Sequence, residues 1–149
     1  MATSEVLIKS RTRVSVQASG ALTADYYPGD GTDYSGSSAG ACTSIDNTYD
    51  GGSENGLGAH FLNLELDVTA APATAATADI YYRGSEDGGS TWSTWKYSHT
   101  VGSDIATSAA RYSAGIFELV YQEVQLAVAA NSFAFTSVLY ATPKLFESQ

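Results

Sequence analysis

Between Arg83 and Trp95 the chain reads RGSEDGGSTWSTW, with two tryptophans, three glycines and an acidic pair in thirteen residues. Indole faces stack on sugar rings and carboxylates accept hydrogen bonds from sugar hydroxyls, so such a stretch is one way to build a glycan site. The same residues also build a turn. Ser85, Asp87, Gly89, Thr91 and Trp92 follow the spacing S-x-D-x-G-x-T-W. In that spacing an aspartate accepts from backbone N–H groups, a glycine takes a dihedral other residues avoid, and the tryptophan packs beneath. The pattern occurs once, and its local physics favours a stabilised hairpin tip over a ligand site. Trp95, Tyr97 and His99 follow at every second position, which predicts one shared strand face. Aromatics on a sheet either stack on a sugar or fill the gap between two sheets, and filling is the commoner use.

Other chemistry is sparser. Asp30, Asp33, Asp46, Asp50 and Glu54 are oxygen donors in turn-rich segments, the ligand type that Ca²⁺ takes. The spacing of an EF-hand is absent, and Asp and Asn favour turns without any metal. The expectation is no cofactor, with Ca²⁺ the one ion those loops would accept. Cys42 is the single cysteine, so no internal disulfide forms. It lies among small residues in AGACTS, which fits a buried thiol better than a nucleophile. Neither His60 nor His99 has a neighbour that would make a catalytic pair, and no phosphate-cradling glycine loop or Cys/His metal spacing occurs. The chain is expected not to be an enzyme.

The formal net charge is −9, from 16 acids against 7 bases. A nucleic-acid binder needs a basic stripe to displace counterions. Lys9, Arg11 and Arg13 form the one local basic cluster, and they alternate as outward residues of a strand do. Nucleic acid and anionic membranes are therefore not expected as partners. Charged residues make up 15% of the chain, against about 25% in an average domain. A poorly ionised, tyrosine-rich surface suits packing between subunits, since charge is costly to desolvate. No stretch reaches the roughly 18 apolar residues of a membrane helix. MATSEVLIKS carries no apolar run of signal-peptide length, which predicts folding in a reducing cytoplasm.

A length of 149 residues predicts one domain. An N-terminal strand or arm is expected over about 1–18 and a Gly/Ser/Tyr-rich excursion over about 19–58, exposed around Tyr26–Tyr34, with a short strand near Gly40–Ser44. HFLNLELDVT alternates cleanly, with Leu62, Leu64, Leu66 and Val68 on one face and Asn63, Glu65 and Asp67 on the other. That is a strand with one buried and one wet face. ADIYYRG and WSTWKYSHTV read as the arms of a hairpin around SEDGGST. IFELVY and EVQLAVAA read as later strands. AFTSVLYATPKLF closes the chain, its last part demoted to an edge or tail by Pro143. Helical spacing is nowhere sustained. About eight short strands predict an all-β, two-sheet antiparallel sandwich of jelly-roll type.

The order of these elements resembles a group of tailed-phage virion proteins of about this size. The likeness is carried by Asp46–Asn47, Leu62–Val68, Ala71–Thr77, Ile80–Arg83, Asp87–Gly88 and the closing VLYATPKLFES, and it covers residues 44–147. Two features depart from that group: AVAANS replaces its late PPG turn, and Tyr26–Ser38 has no counterpart. The resemblance implies a non-enzymatic structural protein of the virion, made in the host cytoplasm and carried on the capsid surface. Its expected role is capsid cement or decoration, as a homotrimer bridging the major capsid protein. A tail, baseplate or head–tail junction component is an alternative within that class. A carbohydrate-binding module for host-surface glycans is an alternative outside it, and predicts an exposed row of Trp92, Trp95 and Tyr97. Val6 and Ile8 in the N-terminal strand and Tyr26, Tyr27 and Tyr34 in the excursion are the expected intersubunit contacts. Tyrosine buries much area while its tip stays hydrogen-bonded.

Overall fold

Alternating apolar residues build nine strands and no helix among the residues described by the computed structural model, which are 6–22, 42–47, 58–130 and 133–148. The strands are β1 (Val6–Ser10), β2 (Val14–Leu22), β3 (Ile45–Asp46), β4 (Phe61–Ala70), β5 (Ala78–Ser85), β6 (Lys96–Thr100), β7 (Ala110–Glu118), β8 (Glu123–Ala130) and β9 (Phe135–Ser148). One sheet runs β1-β9-β4-β7, with β2 also on β9, and the other runs β3-β8-β5-β6. Every pairing is antiparallel. β1 and β2 follow one another along the same flank of β9 and act as one broken strand. Counted so, the sheets hold strands 1-8-3-6 and 2-7-4-5 of eight, the connectivity of a jelly roll.

The core lies between the sheets. Leu62, Leu64, Leu66 and Val68 of β4 are fully buried and face Ile80, Val124, Leu126 and Val128 of the other sheet. Along β9 the buried partners are Leu139, opposite Leu66, and Ala141, opposite Leu64. Each such Leu contributes about 1.5–3 kcal/mol by leaving water. β5 departs from simple alternation. Ala78 and Ile80 enter the core, while Tyr81 joins Trp95, Ala127 and Ala129 in a second apolar cluster on the opposite face of the sheet.

Pro143 does not end the sheet. β9 continues to Ser148 between β1 and β4. The missing N–H of Pro143 points to the flank where β1 has ended and β2 has not begun, because its own carbonyl accepts there from Arg11 N–H (2.9 Å). A proline fits a central strand at such a break in the ladder.

The two long sides of the sandwich close differently. On one side, Cys42 bridges Gln17 of β2, and Thr43 N–H donates to Val16 O (2.9 Å). Three residues later Ile45 pairs with Val124 of β8. Beyond that pairing, buried Gln17 accepts from Val128 N–H through Oε1 (2.9 Å), so a side chain continues where β3 stops. On the other side, His99 Nε2 donates to Ala114 O (2.6 Å), tying β6 to β7. Gly115 sits at φ +84°, in a bulge opposite Leu64, and a Cβ there would lie 2.8 Å from His99 Nε2. That bulge lets β7 begin at Ala110, six residues before the expected IFELVY.

Candidate functional site

The hairpin tip between β5 and β6 is held as its spacing predicts. Ser85 Oγ–H donates to Asp87 Oδ1 (2.8 Å), and Thr91 donates twice, from N–H to Oδ1 (2.9 Å) and from Oγ1–H to Oδ2 (2.6 Å). Gly89 N–H donates back to Ser85 Oγ (3.0 Å), and Gly88 and Gly89 both take positive φ. Donors converging on the carboxylate, the Thr91 hydroxyl first, hold Asp87 at about 2 rather than 3.8. The Asp87 oxygens are thus engaged by the tip itself. Trp92 is half-buried beside it.

The predicted aromatic row does not form. β6 starts at Lys96, after Trp95, and Ser98 is an extra residue opposite the Ile80–Tyr81 step. A one-residue bulge exchanges faces. Tyr97 therefore pairs with Tyr81 on the outer side, while His99 pairs with Ile80 on the core side. Trp95 is 3% exposed and Tyr97 53%. The Arg83 guanidinium lies over both indoles, 5.2 Å from Trp92 and 5.0 Å from Trp95, and its Nε donates to Gln125 Oε1 (2.8 Å). An indole that is buried and capped by a cation offers no flat face to a sugar.

The outer face of the β1-β9-β4-β7 sheet carries the most distinctive surface. Ile8 is 60% exposed and stands opposite Phe146 of β9, itself 46% exposed. Phe146 packs on His60 and Phe61, with ring centroids 5.0 and 5.7 Å apart, and its N–H donates to His60 Nδ1 (3.2 Å). Phe61 faces Glu118 across β7, and Ile116 beside it is 64% exposed. Ile8, Phe146, Phe61 and Ile116 thus form one apolar row crossing every strand position of the sheet. At its β7 end, His60, Phe61, Ile116, Glu118, Leu119 and Phe146 line an open groove of about 470 Å³. A second depression of about 290 Å³ lies beyond the Ile116–Glu118 ridge, toward Tyr97 and Val120. Contiguous exposed apolar surface of this kind marks contact sites.

Charge on this face is mostly neutralised. Arg13 pairs with Glu65 (2.7 Å) and lies 3.9 Å from the Tyr140 ring centroid, and Arg111 lies 3.8 Å from Asp67. Glu118 has no cation at ion-pair distance among the described residues. The expected basic row is split, since Arg13 is exposed while Arg11 is half-buried.

Of the expected contact residues, Ile8 joins the apolar row and Val6 opens β1 on the same flank of β9. Tyr26, Tyr27 and Tyr34 lie outside the described residues, as do Asp30, Asp33, Asp50 and Glu54. Asp46 is in β3, opposite Glu123. Desolvation, then Asp46 and Asp87, raise the Glu123 carboxyl above its usual range. Among the described residues no three His, Cys, Asp or Glu side chains are grouped to hold a metal. Cys42 is half-buried, and desolvation pushes its thiol up to about 12 against the opposing charge of Arg83. Sequence reasoning missed Phe61, Ile116 and Phe146. The available signal was aromatic and branched residues at the polar parity of β4, β7 and β9. Comparison of the chain with protein-family models, with curated proteins and with solved structures gives no match.

Proposed function

We propose that this chain is a non-enzymatic structural protein of a tailed-phage virion, a capsid cement or decoration protein that bridges subunits of the shell. The setting comes from the sequence resemblance over residues 44–147. The observation that carries the mechanical part is the outer-face row of exposed Ile8, Phe146 and Ile116 with half-buried Phe61, on a sheet whose other face is already packed. A rigid sandwich with one apolar outer face is suited to lie across a junction and remove that face from water. Each contact is modest, and repetition around the shell adds them. The chain acts as a homotrimer with the major capsid protein and its own copies as partners, using no cofactor. The glycan-binding alternative loses its row of exposed indoles to the burial of Trp95.

The test is light scattering on the purified protein, followed by mixing with undecorated capsids of the cognate phage. A trimer that saturates the shell, and that Phe146→Asp prevents from doing so, is the expected result. A monomer that ignores the capsids overturns the proposal.

A further inference from the structure

Resting on the reading of the outer face as a contact face, we infer that the groove at its β7 end takes an apolar side chain flanked by a cation, presented by an exposed segment of the partner protein. The groove has the chemistry for both halves. Phe61, Phe146, Ile116 and Leu119 wall a space of about 470 Å³, ample for one Leu, Ile or Phe side chain. Glu118, with Ile116, lines the same groove and also the adjoining depression, so the two residues form the ridge between them.

The charge that lines the groove favours a cation, since Glu118 lines it while Lys144, opposite Phe61 on the same face, donates to Ser10 Oγ. Glu65 and Asp67, the outer-face acids of β4, each have an arginine, and Glu118 has none among the described residues. An exposed carboxylate beside an apolar groove loses little hydration to an arriving guanidinium or ammonium, and repels an acidic segment. The net charge of −9 acts over longer range in the same sense. His60 makes no ion pair with Glu118; its Nδ1 accepts from Phe146 N–H and its ring packs tilted against the Phe146 ring. The pairing sets specificity and register, while the apolar insertion supplies most of the contact.

The experiment titrates the full chain with N-acetyl-Phe-Arg-amide, N-acetyl-Phe-Glu-amide and N-acetyl-Ala-Arg-amide, following ¹H–¹⁵N resonances. Saturable shifts at Ile116, Glu118, Leu119 and Phe146 with Phe-Arg are expected, about fivefold tighter than with Phe-Glu, the scale of one exposed ion pair. Ala-Arg should give no saturable shift there. Glu118→Gln should remove the larger part of the preference for Arg over Glu, leaving the weak bias of the net charge, while preserving the free protein's spectrum away from the site. Equal affinity for the three peptides, shifts elsewhere, or a preference undiminished in Glu118→Gln overturns the inference. A discriminating groove on a protein that ignores capsids removes the cement role alone. Shell saturation by a protein whose groove does not discriminate removes this inference alone.

Discussion

Replacing Gln17 by methionine removes the described side chain that continues the β8 edge past β3, with little change in volume. The Gln17 Oε1 acceptor lies 2.9 Å from Val128 N, and both residues are buried. Losing a neutral hydrogen bond costs about 1 kcal/mol, but a buried N–H left without a partner costs about 1–3 kcal/mol, so the orphaned donor dominates. Methionine fills the space and contributes apolar contact that offsets part of this. The expected loss is about 2 kcal/mol, a fall in Tm of roughly 4–8 °C for a chain of this size. Urea unfolding measures the stability, and amide exchange at Val128 reports the site directly. Val128 should exchange faster in the variant, while Leu66 in the middle of β4 exchanges at the rate set by global stability. A variant within about 0.5 kcal/mol of the parent, with Val128 as protected as before, refutes the account of how that edge is satisfied.

Three further outcomes are expected. Gly115→Ala places a Cβ 2.8 Å from His99 Nε2 at φ +84°, and should lower stability by about 1–2 kcal/mol in urea; an unchanged midpoint counts against the bulge as the reason for glycine. The Asp87 carboxyl is depressed, so its contribution is complete above the unfolded value of 3.8 and is lost as pH falls through about 2; the Thr91 amide resonance should titrate near 2, and a midpoint near 3.8 contradicts the tip geometry. Cys42, pushed up to about 12, should react slowly with Ellman's reagent at pH 8 until denaturant is added, and prompt labelling of the native protein refutes the desolvation of its thiol.

Much of the sandwich was legible because one residue type alternated against another. Leu62 to Val68 state their own burial, and Ser85 to Trp92 state their own turn, since both patterns are satisfied by neighbours in sequence. Two of the errors share one cause. Ser98 in β6 and Gly115 in β7 are bulges, and a single inserted residue reverses parity without altering composition. That moved Tyr97 and His99 to opposite faces and hid the first half of β7. Pro143 misled because its missing donor was judged against an intact ladder, whereas the break at Arg11–Arg13 lies beside it. The apolar row was illegible for another reason. Its members come from β1, β4, β7 and β9, up to 138 positions apart between Ile8 and Phe146, and only strand order brings them together.

The unequal closure of the two sides gives the molecule a spine and a fore-edge. Along the spine, backbone links run from β2 through residues 42–46 into β8, with Gln17 extending them. At the fore-edge, the described link between β6 and β7 is the imidazole of His99 on the carbonyl of Ala114. The β6–β7 side is thus joined through a side chain where the β2–β8 side is joined through backbone, and the groove beside Glu118 lies on the β7 cover. A contact seated there bears on the weaker seam. Strain between the two sheets is therefore expected to open this seam before the strands of the spine separate.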